Sequence, residues 1–278
     1  MKHILVPVDF SHNSYNALFH AARLMQGKPC TFHILNVYNG FTPLQAKNVG
    51  KELSEQLEDE SIEGLRNFCH RIRLDEANSE HTFKTISKRG NLVDEISKIV
   101  EHEKIDLIIM GNSGRTEIEA IFMGSNALDV TSKIKQCAVL TIPKAINFAS
   151  PNEIAFVTDY QQPYDAGLLR PLLFIAKRHK SKIRVMHINE EEVLNKHQMM
   201  NKSVLLEYLL PFEHSFHWMP LFKSKATAID TFLDELDIDM LAMVNYEHSF
   251  LDRMTREPVI KRVGFDNKIP FLVIPYTN

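Results

Sequence analysis

The sequence predicts an α/β fold made of two tandem, doubly wound, Rossmann-like domains. Three observations support this prediction. Short apolar runs alternate with amphipathic stretches, which is the pattern of βαβ units. The apolar runs carry few charges, as expected for parallel strands that helices cover on both faces. The second half of the chain also repeats the landmarks of the first half in the same order.

Five strands are predicted in the first half from runs of β-branched and aliphatic residues, at residues 3 to 8, 31 to 37, 82 to 87, 106 to 110 and 138 to 142. Helical patterns lie between them. The first covers residues 14 to 25, with Ser11 as its N-cap and Gly27 as its terminator. A longer, charge-rich helix is predicted over residues 44 to 72, and Asn91 caps the next one.

Four landmarks of the first half recur in the second half. The matched pairs are 3 to 10 with 153 to 160, 32 to 37 with 183 to 188, 105 to 110 with 238 to 243, and 138 to 143 with 271 to 275. A helix is also predicted over residues 165 to 178. The polar composition near residues 146 to 151 indicates a linker, so we expect domains at 1–146 and 147–278.

Composition narrows the range of partners. The chain has 278 residues, 32 Lys and Arg against 35 Asp and Glu, and a net charge of -3. This balance supplies no broad positive field, so we expect neither nucleic acid nor a membrane as a partner. The three cysteines are widely spaced, and no apolar run reaches the length of a membrane span, so we expect a cytoplasmic protein. His214-x-x-His217 could lie near His187 or His248, but no Cys or carboxylate cluster has the ligand spacing of a known metal site, so we expect surface or hydrogen-bonded histidines.

One segment indicates ligand binding. Met110-Gly111-Asn112-Ser113-Gly114-Arg115 is followed, after eight residues, by Gly124-Ser125-Asn126 at the start of a predicted helix. Glycines after a strand let a ligand approach main-chain N–H groups without a Cβ in the way. A Gly-Ser pair at a helix N-terminus adds amide donors, a hydroxyl and the helix dipole, which together bind phosphate.

Strand order predicts which residues share the crevice. In open α/β sheets the ligand lies at the carboxyl ends of the strands, where the strand order reverses. With the order 3-2-1-4-5, that point falls between the strand ending at Asp9 and the strand ending at Gly111. Asp9 would then bind a ribose hydroxyl, the glycine segment would bind phosphates, and Val37 would lie against the base. The alternative for Asp9 is a cap of the following helix.

The spacing Gly111-x2-Gly114-x9-Gly124-Ser125 resembles the ATP-binding pattern of the universal stress protein family. The opening residues 4 to 9, the run 106 to 111 and the final run 138 to 143 resemble that family too. The resemblance implies five parallel strands in each domain and a paired arrangement of domains. It also implies ATP or another adenine nucleotide, with or without Mg²⁺, with the base near Val8 and Val37, the ribose at Asp9 and the phosphates at Gly111, Gly114, Gly124 and Ser125. The neighbouring residues complete the set of candidate site residues, with Arg115 as a secondary candidate: Pro7, Met110, Asn112, Arg115 and Asn126.

The second half resembles a diverged copy in which the glycines are lost. Alignment places Val244 opposite Gly111, and it places the charged residues Glu247, Arg256 and Glu257 opposite Gly114, Gly124 and Ser125. Side chains at glycine positions block the amides, and carboxylates repel phosphate. We therefore expect this domain to bind no nucleotide in the same mode, although Asp159 is retained opposite Asp9.

The expected function is that of an ATP-binding regulatory protein of the stress response rather than an enzyme. The sequence has no GxxxxGK[ST] P-loop and no GxGxxG after its first strand, the motifs of other nucleotide-binding folds. Two alternatives stay open: a nucleotide-free interaction scaffold, and a phosphotransferase or weak ATPase. The last strands, 138 to 143 and 271 to 275, are candidates for pairing between domains or chains, which leaves a homodimer open.

Overall fold

A computed structural model of the chain describes residues 1–38, 51–76, 80–112, 123–144, 146–189, 193–220, 225–246 and 269–276. The chain separates into two compact units, Met1–Phe148 and Ala149–Asn278. Residues 44 to 50 of the predicted long helix lie outside the described residues, as do Gly114 and Arg115 of the glycine segment.

The first unit contains strands β1 to β5 and helices α1 to α4. The strands are β1 His3–Pro7, β2 Thr31–Tyr38, β3 Thr82–Arg89, β4 Leu107–Gly111 and β5 Ala138–Ile142, and the helices are α1 His12–Leu24, α2 Lys51–Asp75, α3 Leu92–His102 and α4 Ser125–Lys133. All strand pairs are parallel, and the order is β3-β2-β1-β4-β5. The predicted fold class and strand order are confirmed for this unit.

The second unit contains β6 to β10 and α5 to α7. The strands are β6 Glu153–Val157, β7 Lys182–Asn189, β8 His214–Pro220, β9 Met240–Asn245 and β10 Phe271–Pro275, and the helices are α5 Ala166–His179, α6 Lys196–Leu209 and α7 Lys225–Glu235. Its parallel sheet has the order β8-β7-β6-β9-β10, which is again 3-2-1-4-5 within the unit. Strand β8 was not located from the sequence.

Helices cover both faces of the first sheet. α1 and α2 contact each other and the sheet, whereas α3 and α4 contact each other in a separate apolar cluster with side chains of the sheet. That cluster joins Ile96 and Val100 of α3 to Val130 of α4 and Ile108 of β4. The central strands β1 and β4 are therefore largely buried, while the edge strand β3 is mostly exposed. Coverage of both faces does not extend to β3, because α2 packs against this strand while five of its eight residues stay exposed.

The predicted helix caps are present. The Ser11 side chain accepts a hydrogen bond from the amide of Ser14 at the start of α1. Asn91 accepts from the amides of Val93 and Asp94 at the start of α3. These bonds satisfy amide groups that have no acceptor within the helix, and they fix the points at which the two helices begin.

The two units repeat the same hydrogen bonds. The Asp106 carboxylate, which precedes β4, accepts from the amide of His3 at 3.2 Å. The Asp239 carboxylate, which precedes β9, accepts from the amide of Glu153 at 3.0 Å. Each bond holds the start of the unit's first strand against the start of its fourth strand. The repeat seen in the sequence is therefore also a repeat of local structure.

Candidate functional site

The candidate residues of the first unit gather at the carboxyl edge of its sheet. Pro7 ends β1, Val37 lies near the end of β2, and Met110 and Gly111 end β4. β1 pairs in parallel with both β2 and β4, so these three strand ends share one edge. The strand order reverses between β1 and β4, which is where ligands bind in open α/β sheets.

Asp9 has a structural role in this edge. Its Oδ1 accepts hydrogen bonds from the Ser11 amide at 3.1 Å and from the Ser11 hydroxyl at 2.6 Å. Ser11 in turn caps α1, and Phe10 between them has a left-handed φ of 63°. One carboxylate oxygen of Asp9 therefore shapes the turn into α1. A ribose hydroxyl bound by Asp9 would share this carboxylate with Ser11.

A buried asparagine fixes the backbone at Val8. The Val8 amide donates to the Leu35 carbonyl at 2.7 Å, and the Asn36 side-chain amide donates to the Val8 carbonyl at 2.8 Å. Asn36 lies on β2 and is 7% exposed. Asn36 was not predicted as a functional residue from the sequence. The feature that could have indicated its role is an amide side chain among the apolar residues of a predicted strand.

Gly111 has a packing role as well as a place in the site. A Cβ added at this position would lie 2.5 Å from the Asn13 side-chain nitrogen, closer than any real contact allows. Asn13 lies in the first turn of α1 and is 3% exposed. The glycine therefore allows the start of α1 to approach the end of β4. Asp9 and Gly111 consequently both border the first turn of α1.

Main-chain hydrogen bonds join the two parts of the glycine segment. The Asn112 amide donates to the Ile142 carbonyl at 2.9 Å, and the Gly124 amide donates to the Asn112 carbonyl at 2.5 Å. The end of β4 thus lies directly against the start of α4, although residues 113 to 122 separate them in sequence. The Asn112 side-chain oxygen is buried and accepts no hydrogen bond from the residues that the structure describes. An unpaired buried polar atom at this point indicates a place where a ligand or water would be accommodated.

The N-terminus of α4 has no side-chain cap. Gly124 is its N-cap, with φ of -61° and ψ of 158°, and no acidic residue lies in the first turn. The amides of Ser125 and Asn126 therefore have no acceptor within the helix, and both residues are exposed. These amides, the Ser125 hydroxyl and the positive end of the helix dipole form a surface that favours an anion.

The second unit keeps some of the interactions found at this edge of the first unit's sheet. His187 occupies the position of Asn36 on the corresponding strand, and its Nδ1 lies 3.0 Å from the Thr158 carbonyl. Tyr160 repeats the left-handed φ of Phe10, at 57°. Val244, opposite Gly111 in the alignment, is a buried side chain near the end of β9. The aligned residues Glu247, Arg256 and Glu257 lie outside the described residues.

A metal-ligating cluster and a membrane-spanning helix are both absent from the described part of the chain. No group of three or more His, Cys, Asp and Glu side chains there is placed to hold a metal ion. His214 and His217 instead lie on β8, where the Ser215 hydroxyl and the His217 Nε2 share one hydrogen bond of 2.6 Å. None of the helices in these ranges combines the length and hydrophobicity that crossing a bilayer requires.

Comparison with known proteins places this architecture in a family. A family model described as "Universal stress protein family" matches residues 1–143. A universal stress protein of Methanocaldococcus jannaschii is 31% identical over 148 residues, which are 51% of this chain and 82% of the relative. A second universal stress protein of that organism is 30% identical over 146 residues, or 48% of this chain and 89% of the relative.

A solved structure resembles the whole chain. The crystal structure of a universal stress protein from Archaeoglobus fulgidus covers 99% of this chain, and the match covers 97% of that structure, with a TM-score of 0.73 and 20% identity. At this identity the likeness concerns the fold. Since the family model covers about half of the chain and both relatives are covered over most of their length, this chain belongs to the universal stress protein family.

Proposed function

We propose that the first unit binds an adenine nucleotide, ATP in the first instance, and that the protein acts as a regulator in the stress response. The observation that carries this proposal is the Gly124 to Asn112 main-chain bond. It places an uncapped helix N-terminus beside the ends of β1 and β4, at the point where the strand order reverses. An anion-binding surface and an aspartate then border one crevice.

Each part of the nucleotide has a candidate partner at this edge. The base would lie against Val8 and Val37, and the Asp9 carboxylate would accept hydrogen bonds from ribose hydroxyls. The phosphates would bind at the amides of Ser125 and Asn126 and at the Ser125 hydroxyl. Pro7 and Met110 would support the crevice from the ends of their strands, and Gly114 and Arg115 stay predicted contacts.

One main-chain amide at the start of α4 is not available to the phosphates. The Gly124 amide already donates to the Asn112 carbonyl, so the phosphates would depend on the next two amides of the helix. The buried Asn112 side-chain oxygen lacks a donor among the described residues, so a nucleotide hydroxyl or a water bound with the nucleotide would satisfy it. Mg²⁺, where it accompanies ATP, would be held chiefly by the phosphate oxygens and water.

Binding and regulation fit these residues better than catalysis. Hydrolysis of ATP needs a group that positions the attacking water and cations that stabilise the charge of the transition state. The described phosphate-facing groups are main-chain amides and the Ser125 hydroxyl, and one oxygen of Asp9 is engaged by Ser11. We therefore propose that occupancy of the site changes the interactions of the protein. A cytoplasmic location and pairing through the last strands stay predictions.

Acid extraction of the purified protein, followed by chromatography of the released small molecules, tests the proposal directly. We expect an adenine nucleotide from the unaltered chain and none from Gly124→Arg, because an arginine side chain at the N-cap would fill the space that phosphate needs. Ser132→Arg adds the same side chain to an exposed position near the other end of α4 and should retain the nucleotide. Full retention of nucleotide by a folded Gly124→Arg protein would contradict the proposed site.

A further inference from the structure

Strand β8 forms an outer edge of the second unit's sheet, and one side of its main chain faces away from that sheet. In the described part of the chain its only strand partner is β7, in parallel register. The Ile183 amide of β7 donates to the Glu213 carbonyl at 2.9 Å, so the odd-numbered residues of β8 direct their amides and carbonyls toward β7. The even-numbered residues His214, Phe216 and Trp218 therefore direct theirs outward. Among the described residues, no main-chain hydrogen bond occupies these outward groups.

β8 lacks the charges by which edge strands usually avoid pairing with other chains. Lysine on an edge strand prevents such pairing, because two copies of the strand would bring like charges together. The equivalent edge strand of the first unit, β3, carries Lys84, Lys88 and Arg89. β8, His214–Pro220, contains no Lys, Arg, Asp or Glu. Two copies of β8 can therefore pair without like charges on the strands facing each other.

Aromatic side chains of β8 lie beside this open edge. Trp218, the only tryptophan of the chain, is 44% exposed although its ring contacts that of His187. The Lys202 ammonium of α6 lies 5.1 Å from the ring centroids of both Phe216 and Trp218. These contacts place α6 over the face of β8 that the two rings occupy. A large, half-exposed aromatic side chain next to free main-chain groups is typical of a protein interface.

Helix α6 continues the apolar surface. Met199, Leu206 and Leu210, which follows the last residue of the helix, are exposed and lie on one side of it, because seven and four residues separate them. We call these three side chains the α6 stripe. Lys202 comes three residues after Met199 and four before Leu206, so the stripe adjoins the rings of β8. The open edge of β8 and the α6 stripe therefore form one surface.

We propose that two copies of this chain associate through antiparallel pairing of β8 with β8, about a two-fold axis at Phe216, with the α6 stripes packed together beside the joined strands. In that arrangement His214 of each copy lies opposite Trp218 of the other, and the two Phe216 residues lie opposite each other. The outward main-chain groups are spaced evenly on both sides of Phe216, so each amide meets a carbonyl of the second copy.

A second copy fits this surface better than an unrelated extended peptide does. A peptide added to β8 would satisfy the main chain but would leave the α6 stripe in contact with water. A second copy supplies both a strand and an apolar side of a helix, and a two-fold contact uses the same surface on each partner. This interface is separate from pairing through the last strands, and it does not depend on nucleotide binding.

Sedimentation velocity of the full chain over a range of protein concentrations tests the proposal. We expect a dimer whose fraction rises with concentration. Leu210→Lys puts a charge on the α6 stripe without altering a buried side chain, so the dissociation constant should increase at least about tenfold. Leu74→Lys is a matched control, because Leu74 of α2 is 65% exposed and Leu210 is 68% exposed, and it should leave the dissociation constant unchanged. A chain that stays monomeric up to about 1 mM, or a dimer unaffected by Leu210→Lys, would overturn the proposal.

The fluorescence of Trp218 distinguishes this interface from one elsewhere on the protein. Because the chain has no other tryptophan, its emission reports on β8 alone. We expect the emission to move to shorter wavelength over the concentrations at which dimers form, since pairing removes the indole from water. A dimer that forms with no change in emission would assign the association to another surface and contradict the proposal.

Phe216→Lys tests the position of the two-fold axis. It places two like charges opposite each other in the proposed pairing, so both the dimer and the change in emission should be lost. Thr85→Lys adds the same charge to an exposed position of the other edge strand, β3, and should retain both. A folded Phe216→Lys protein that dimerises as tightly as the unaltered chain would exclude pairing through β8. If Phe216→Lys does not fold, the emission of Leu210→Lys is compared with that of Leu74→Lys for the same purpose.

Discussion

Gly111 and Asn13 are packed so tightly that a Cβ on the glycine would lie 2.5 Å from the asparagine's side-chain nitrogen. The first glycine of the pattern Gly111-x2-Gly114-x9-Gly124-Ser125 is therefore required by the packing of α1 against β4. This requirement holds whether or not a ligand is bound. Substitutions at Gly111 consequently report on folding as well as on binding.

Gly111→Ala should destabilise the first unit by about 1–3 kcal/mol, the usual cost of forcing extra volume into a packed site. Much of that cost should disappear in a chain that also carries Asn13→Ala, because the clashing side-chain atoms are then absent. Urea denaturation of the four members of this double-mutant cycle measures the coupling. Strictly additive effects would show that the Asn13 contact does not limit Gly111.

Asn36 and His187 hold equivalent carbonyls in the two units, those of Val8 and Thr158. Asn36→Leu removes the donor and leaves the Val8 carbonyl without this side-chain bond, so we expect a loss of about 1–3 kcal/mol in the free energy of unfolding. Asn36→His introduces the residue that the second unit uses and should lose less. Equal losses in the two variants would mean that packing at this position matters more than the hydrogen bond.

Local patterns in the sequence predicted the features that depend on near neighbours. Ser11, Asn91 and Gly124 were placed correctly at helix N-termini because capping involves residues only two or three positions away. Alternating strands and helices predicted parallel sheets with right-handed crossovers, whereas the strand order 3-2-1-4-5 was a hypothesis that this pattern alone does not select. The location of the candidate residues on three strand ends followed from that order.

Features that depend on distant contacts could not be predicted in this way. A Cβ at Gly64 in α2 would lie 2.5 Å from the Phe10 ring. Phe10 precedes α1 and β2 in the sequence, so no local pattern indicates this contact. Strand β8, His214–Pro220, was missed because it is a partly exposed edge strand of alternating polar and aromatic residues.

Substitutions at Asp106 and Asp239 test the local stability of the two units separately. Asp106→Ala should weaken the start of β1, and Asp239→Ala the start of β6, each by about 1–2 kcal/mol because bonds from main-chain amides to a carboxylate are lost. Hydrogen exchange measured by mass spectrometry should show faster exchange only in the corresponding strand. Asp129→Ala, which breaks an exposed ion pair with Lys133, should change neither strand. Faster exchange in both strands from either substitution would contradict independent roles.

His20 connects the stability of the first unit to pH. It is 4% exposed, its Nε2 lies 3.1 Å from the Ile146 carbonyl, and its ring lies 5.5 Å from that of Phe148. Burial lowers the pKa of His20 below its usual value, and the bond to the Ile146 carbonyl opposes only part of that effect. The unfolded chain therefore takes up this proton more readily than the folded chain.

The contribution of His20 to stability is thus fully present above the unfolded pKa of about 6.5 and is lost as pH falls through the lower folded pKa. We expect the urea midpoint to decrease as pH is lowered from about 7.5 to about 5, and we expect His20→Gln to make that decrease less steep. His12→Gln alters an exposed histidine of the same helix and should leave the slope unchanged. If His20→Gln keeps the full slope, protonation at other sites accounts for the loss of stability in acid.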